Sequence, residues 1–230
     1  MAKCIILDAG GVICYPRPGD WLTPVRFDEI IGENRLNAVT PEQLAAAKKA
    51  AAAIYLDESL LLTDETLEFA ARRNYFLDLA KRLSWTLTDR EADVLARDMT
   101  ENDARYDFYD EARGAIMRLR DMGPIGLLSN AMPSIKRVFD NAGLLELFDE
   151  VVISCEIGAE KPSEKMYATI CENMEVAPGD CVFVDDIVKN LEAAEKFGMT
   201  GVHMCREGES DWHGKVVRDL TELVRFAAEN

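Results

Sequence analysis

Lys3–Val12 reads KCIILDAGGV. Apolar or β-branched residues run without a polar break into Asp8, and two glycines follow. Such a run predicts a buried parallel strand that stops abruptly at a carboxylate. Ligands of open α/β sheets bind outside the carboxyl ends of the strands, so Asp8, beside Gly10 and Gly11, is a candidate nucleophile. The alternative is an Asp that caps a tight turn after the strand.

After Asp107 the chain alternates apolar runs with helical patterns, which predicts a doubly wound parallel α/β sheet. The strand-like runs lie at 124–128, 151–154, 181–184 and 201–204, and the predicted helices span about 110–122, 132–142, 163–174, 188–197 and 220–229. Three of the predicted strands end in reactive polar residues: Asp8, Ser129 with Asn130, and Asp185 with Asp186. We expect these side chains to meet at one edge of the sheet.

The segment between the first strand and this alternation is predicted to be helical, with no convincing strand from 15 to 105. A stretch from Cys14 to about Phe27, rich in Pro and Gly, is typical of a linker. Capping boxes at Thr40–Gln43 and Thr88–Glu91 predict helices that run to about residues 55 and 103, and another helix is expected from 64 to about 83. The predicted domains are therefore an α/β core (1–14 and 106–230) and a helical module (15–105).

Composition narrows the possible functions. The 230 residues carry 26 Lys and Arg against 42 Asp and Glu, a net charge of −16, with no basic cluster to offset it. This balance argues against nucleic acid and anionic membranes as partners. The N-terminal apolar stretch is too short and too interrupted for a signal peptide or membrane anchor. Six scattered cysteines without a C-x-x-C pair are typical of a reduced, cytoplasmic protein.

Four segments together resemble the haloacid dehalogenase (HAD) superfamily, whose members mostly hydrolyse phosphate esters. They are LDAGGVI at 7–13, LLSNA at 127–131, GAEKP at 158–162 and FVDDIVKN at 183–190. Any one of them is a weak signal, but four in order at strand ends form a strong one. The resemblance implies a HAD-like, Rossmann-like core, with residues 15–105 as an all-helical cap inserted after the first motif. We expect that cap to be a mobile lid over the strand ends.

The resemblance also implies roles for individual residues. Asp8 corresponds to the nucleophile that forms an aspartyl-phosphate, and Ser129 to the phosphate-binding hydroxyl. Lys161 corresponds to the lysine that neutralises phosphoryl oxygens and holds the nucleophile. Asp186 corresponds to the acid that binds Mg²⁺ together with Asp8 and the Gly10 backbone carbonyl. The remaining positions are Asp185, which precedes the metal ligand, Asn190, where relatives carry an acid or Asn, and the substrate contacts Asn130, Arg17, Trp21 and Arg26.

Each of these positions also has a structural interpretation. Ser129 and Asn130 could form a helix N-cap, and Lys161 could be a solvated surface charge. Asp185 and Asp186 could cap the helix that follows them. Cys14 and Trp21 are interpreted as packing residues rather than catalytic ones, and His203 and His213 receive no role.

Gly10 departs from the pattern of the family's phosphatases, which usually have a second Asp there as general acid and base. The dehalogenase branch also lacks this Asp, but it generally lacks the acid pair that Asp185 and Asp186 form here. The sequence therefore predicts a Mg²⁺-dependent phosphatase acting on a small phosphate monoester. The alternatives are a 2-haloacid dehalogenase-type hydrolase, or a non-catalytic relative that binds a phosphorylated ligand or a protein partner.

Overall fold

The opening stretch forms β1 (Cys4–Leu7), whose four residues are all buried. The structure, a computed structural model, describes residues 4–55 and 61–229. Three short segments lie outside the described residues. They are 1–3 and 230 of the predicted core, and 56–60 of the predicted helical module.

The strands form one large parallel sheet and one small sheet. Along the chain after β1 come β2 (Cys14–Pro16), β3 (Tyr106–Phe108), β4 (Ile125–Ser129), β5 (Glu150–Ile153), β6 (Cys181–Asp185), β7 (Thr200–Met204) and β8 (Lys215–Val217). The large sheet has the order β5-β4-β1-β6-β7-β8, and its neighbouring strands pair in parallel. The predicted parallel α/β fold is confirmed. After β1 the chain adds β4 and β5 on one side of it, and then β6, β7 and β8 on the other side. The switch point of this topology therefore lies at the end of β1.

One helix precedes β4, and further helices follow strands of the large sheet. They are α6 (Ala112–Arg120), α7 (Ser134–Asn141), α8 (Ser154–Ile157), α9 (Glu164–Asn173), α10 (Val188–Phe197) and α11 (Leu220–Glu229), preceded in the chain by α1 (Phe27–Ile31), α2 (Glu33–Leu36), α3 (Pro41–Tyr55), α4 (Glu65–Arg82) and α5 (Asp89–Glu101). Tyr167 and Ile170 of α9 and Leu191 of α10 pack with Ile6 and Phe183 of the sheet in one buried cluster. This packing fixes α9 and α10 against the sheet.

Three short strands were not expected. β2 and β3 pair with each other as a two-stranded sheet, and β2 lies at the start of the stretch interpreted as an irregular linker, so the expectation of no strand in 15–105 is wrong at Tyr15 and Pro16. β8 extends the large sheet beyond β7. Each of these strands has three residues, too few to show an apolar alternation in the sequence.

The described chain divides into two compact units. One comprises Met1–Tyr15, Phe108–Ala131 and Ile135–Asn230, and contains the large sheet. The other comprises Pro16–Asp107 and Met132–Ser134, and contains α1 to α5.

Both predicted capping boxes are confirmed in the helical unit. Thr40 and Gln43 exchange hydrogen bonds at the start of α3, and Thr88 and Glu91 do so at the start of α5. Inside this unit Glu68 is fully buried, lies 2.5 Å from the Arg72 guanidinium, and accepts hydrogen bonds from the backbone and hydroxyl of Ser134. No helix in the described part of the chain is long and apolar enough to cross a membrane.

Candidate functional site

Asp8 lies directly after β1 and is 6% exposed. Its backbone N–H donates to the Val184 carbonyl of the neighbouring strand at 2.9 Å. The chain then turns tightly, because the Ala9 carbonyl accepts from the amides of both Ile13 and Cys14. The apolar run and the two glycines predicted this abrupt end of the strand. The turn positions the Asp8 carboxylate at the end of β1.

Lys161 is buried between two carboxylates. Its Nζ lies 2.8 Å from Asp8 Oδ1 and 2.7 Å from Asp185 Oδ2. Burial alone would lower the pKa of this ammonium, but the charges of Asp8 and Asp185 raise it above the ordinary value for lysine. Lys161 therefore stays charged and ties two strand ends together, and the interpretation of it as a solvated surface residue is wrong.

Asn130 holds the backbone of Lys161 in place. Its side-chain oxygen accepts from the Lys161 amide at 2.7 Å, and its side-chain nitrogen donates to the Lys161 carbonyl at 3.0 Å. The two hydrogen bonds satisfy both the N–H and the C=O of the Lys161 backbone. Buried backbone groups without a partner would cost free energy. The amide of Asn130 is thus engaged with the protein rather than simply capping a helix.

Asp185 is fully buried at the end of β6 and has a dense set of partners. Besides Lys161, it accepts from the Ile187 amide at 2.7 Å and from the Asn190 side chain at 3.1 Å to each oxygen. The sequence analysis counted Asp185 in the acid pair and offered a helix cap as the structural alternative, but it did not predict the contact with Lys161. The structure shows that Asp185 orients the lysine and organises the turn after β6.

Three carboxylates converge at this edge of the sheet. Oxygens of Asp8, Asp185 and Asp186 lie within 4.8 Å of one another. Burial, opposed by Lys161, raises the pKa of Asp8 to about 6. Partial loss of hydration and the charges of Asp8 and Asp185 raise the pKa of Asp186 to about 7. Repulsion among the carboxylates adds to the effect of burial in both shifts, and a cation with oxygen ligands would relieve that repulsion.

Gly11 lies against Asp186. Its φ is +71°, and a Cβ built at this position would overlap the Asp186 carboxylate. Both facts require glycine here, because an L side chain resists this backbone conformation and would displace the acid. The sequence analysis related Gly11 to the end of the strand and to ligand access, and did not anticipate its contact with Asp186.

The other predicted residues are distributed as follows. Ser129 is buried as the last residue of β4, beside β1 in the sheet. Gly10 lies in the turn after Asp8 and bridges to Cys14. Arg17 belongs to the helical unit, where its guanidinium binds both carboxylate oxygens of Asp107.

The two remaining candidates of the helical unit have partners inside that unit. The ring of Trp21 lies 5.6 Å from that of Tyr106, and Arg26 pairs with Glu29 at 2.7 Å. Cys14 is fully buried, and burial with the nearby Asp8 charge raises the pKa of its thiol well above the usual range. Cys14 therefore stays protonated, as expected of a packing residue.

Two residues of the site region were missed, and both lie at the end of β7. His203 has Nε2 3.1 Å from the Asp186 carbonyl and Nδ1 2.6 Å from the Ser210 hydroxyl. Arg206 bonds to the carbonyls of Gly11 and Val12. The rule that strand ends build the site would have pointed to them, because 201–204 was itself a predicted strand.

A parallel sheet with a buried Asp–Lys–Asp group at its carboxyl edge defines a hydrolase of the HAD type. Residues 2–198 match the family model described as haloacid dehalogenase-like hydrolase. The chain belongs to this family, and the resemblance inferred from the four motifs is confirmed.

Relatives of two activities are similar to this chain. A phosphatase of Mycobacterium tuberculosis is 36% identical over 118 residues, which cover 50% of this chain and 54% of that protein. An (S)-2-haloacid dehalogenase of Burkholderia cepacia is 28% identical over 176 residues, 74% of this chain and 71% of that protein. The chain spans about half the length of the phosphatases it matches.

Solved structures share the fold. The L-2-haloacid dehalogenase of Xanthobacter autotrophicus superposes with a TM-score of 0.67 at 18% identity, covering 99% of both chains. At that identity the likeness concerns the fold alone. The choice between phosphatase and dehalogenase therefore depends on the residues of the site.

Proposed function

We propose that this protein is a Mg²⁺-dependent phosphatase acting on a small phosphate monoester through an aspartyl-phosphate on Asp8. The observation that carries the proposal is the meeting of Asp8, Asp185 and Asp186 with oxygens within 4.8 Å. Lys161 balances part of that charge, and a divalent cation would balance the rest. An acid pair at this edge would bind the cation that phosphate chemistry needs, whereas displacement of a halide needs no such cation.

The electrostatics favour a cation between the nucleophile and its substrate. Two unit negative charges about 4 Å apart repel by about 4 kcal/mol at an effective dielectric constant of about 20. A carboxylate therefore approaches a phosphate dianion only if positive charge intervenes. Asp8, Asp186 and the Gly10 carbonyl are the hard oxygen ligands that suit Mg²⁺, which retains several waters. When bound, the ion would neutralise the charge of the phosphoryl group.

The chain's own residues would carry the bond changes. An Asp8 oxygen attacks phosphorus, the ester P–O bond breaks, and the leaving oxygen takes up a proton from solvent. Water then attacks the aspartyl-phosphate and gives a proton back to solvent, which releases inorganic phosphate and restores the Asp8 carboxylate. Lys161 and the Ser129 hydroxyl would bind equatorial phosphoryl oxygens, with Asn130 fixing the position of Lys161.

We further propose that the helical unit is the cap of this enzyme and that it selects the substrate. Its place in the sequence supports this role, because the chain enters it directly after the turn that follows Asp8. Arg17, Trp21 and Arg26 are the proposed contacts. Arg17 would have to exchange Asp107 for a substrate anion, since the two now pair at 2.6 Å.

A 2-haloacid dehalogenase is the second candidate, favoured by the relative that aligns over most of its length. The absence of an acid at Gly10 also agrees with this candidate, because the family's phosphatases usually have an Asp at that position. A screen of phosphorylated metabolites and p-nitrophenyl phosphate, with 2-chloropropionate as counter-substrate, would separate them when run with Mg²⁺ and with EDTA. We expect phosphate release with Mg²⁺ and none with EDTA. Chloride release that EDTA leaves unchanged would establish the dehalogenase instead.

The contact between Gly11 and Asp186 predicts a specific loss of metal binding. Gly11→Ala should weaken Mn²⁺ or Mg²⁺ binding about 10-fold or more, because the new methyl group displaces the Asp186 carboxylate. Both affinities are measurable by calorimetry on EDTA-stripped protein.

Gly208→Ala provides a matched control. Gly208 has a φ of +72°, and a Cβ there would meet nothing within 4 Å. Both variants should lose about 1 to 3 kcal/mol of unfolding free energy from backbone strain, but only Gly11→Ala should lose metal affinity. Equal metal binding by the two variants would mean that Asp186 is not a ligand.

A further inference from the structure

Arg206 spans the turn that follows Asp8. Its Nε donates to the Gly11 carbonyl at 3.1 Å and one terminal nitrogen donates to the Val12 carbonyl at 2.6 Å. The other terminal nitrogen donates to Glu111 at 2.9 Å, and the guanidinium lies 3.2 Å from the centroid of the Tyr109 ring. One planar group thus holds two successive carbonyls while its face is fixed against an aromatic ring.

The turn needs such a partner because its internal hydrogen bonds leave these carbonyls unused. The Gly11 amide bonds to the Cys14 carbonyl, and the amides of Ile13 and Cys14 bond to the Ala9 carbonyl. The carbonyls of Gly11 and Val12 have no such partner in the turn. Backbone carbonyls in a mostly buried turn are costly without a donor, and Arg206, whose side chain is 16% exposed, supplies it.

Gly11 links the turn after Asp8 to Asp186. Gly11 follows Asp8 by three residues and lies against the Asp186 carboxylate. From the same strand end, His203 Nε2 lies 3.1 Å from the Asp186 backbone carbonyl. The end of β7 carries none of the four motifs. Its His203 contacts a carbonyl of the turn after β6, and its Arg206 binds two carbonyls of the turn after Asp8.

We propose that Arg206 is a positioning residue that holds the turn after Asp8 so that Asp8 and Asp186 face one another. The inference rests on the proposed function for its catalytic consequence, but not for its structural part. Lysine would not replace this arginine, because an ammonium lacks the planar fork that meets Gly11, Val12 and Glu111 at once.

The test compares Arg206→Lys and Arg206→Met with Arg120→Lys. Arg120 also binds a backbone carbonyl, that of Glu146 at 2.8 Å, but it does not touch the turn. Amide hydrogen exchange of Ile13 and Cys14 is measured on metal-free protein, together with Mn²⁺ affinity and the kcat and KM for p-nitrophenyl phosphate. Urea unfolding identifies any variant that fails to fold.

We expect both Arg206 variants to exchange these amides about 10-fold faster or more, because the turn opens more often. Their kcat should fall about 10- to 100-fold with little change in KM, since a small misplacement of the nucleophile affects the chemical step. Arg120→Lys should leave exchange and kcat as they are. Folded Arg206 variants with the natural exchange rates and kcat would overturn the inference.

A failure of the proposed function gives a different pattern. In that case the natural protein neither binds Mn²⁺ nor releases phosphate. Amide exchange then decides the proposal alone: faster exchange in the Arg206 variants supports it, and unchanged exchange overturns it.

Discussion

Asp8→Asn is expected to lower phosphatase turnover about 10⁴-fold or more, because the amide cannot attack phosphorus and no other group takes over a missing nucleophile. The fold should survive the change. Asn has the same shape, its oxygen can still accept from Lys161, and the change removes one of three repelling carboxylates. Steady-state release of p-nitrophenol at saturating Mg²⁺, with thermal unfolding in parallel, measures both effects.

Asp185→Asn is the contrasting variant. Asp185 is fully buried and accepts from Lys161, Ile187 and Asn190, so the change introduces amide hydrogens that face existing donors. We expect it to cost about 1 to 3 kcal/mol of unfolding free energy, whereas Asp8→Asn costs little. If Asp8→Asn retains more than about 1% of natural turnover, Asp8 is not the nucleophile.

Much of this fold could be predicted because its signals are local and physical. The run into Asp8 is long enough and apolar enough to require a buried strand, and α10 has the predicted bounds of 188–197, with Gly198 as its left-handed cap. The convergence of Asp8, Asp185 and Asp186 followed from a topological rule, since strand ends of a parallel sheet share an edge. Lys161 does not lie at a strand end, and its place beside Asp8 followed from the resemblance to the family.

The rest could not be predicted because it depends on contacts between distant segments. Nothing near Asp185 in the sequence shows that Lys161, 24 residues away, will pair with it. Arg206 lies 195 residues from Gly11, whose carbonyl it binds. Such pairings depend on register and on side-chain direction, which composition and periodicity do not report.

The absence of an acid at Gly10 leaves the leaving group without an evident proton donor. Asp20, in the helical unit, is a poor substitute. Burial would raise the pKa of its carboxyl, but hydrogen bonds from Thr23 and the charge of Lys48 hold it below the usual range. Asp20 is therefore ionised and engaged at neutral pH, a poor state for a general acid.

Gly10→Asp is consequently expected to raise kcat/KM for alkyl phosphates by up to about 10² to 10⁴, the usual worth of general acid–base catalysis, or about 3 to 5 kcal/mol of barrier. The gain for p-nitrophenyl phosphate should be much smaller, because that leaving group departs as a stabilised anion, whereas an alkoxide must be met by a proton. The backbone is compatible with the change in one respect, since the left-handed φ of +71° belongs to Gly11. Gly10→Asn has the same shape without a transferable proton and should show no such selective gain. Initial rates for a sugar phosphate and for p-nitrophenyl phosphate, measured for all three proteins across pH 5 to about 8, distinguish the cases: if the natural protein already hydrolyses both substrates equally well, a residue other than position 10 supplies the proton.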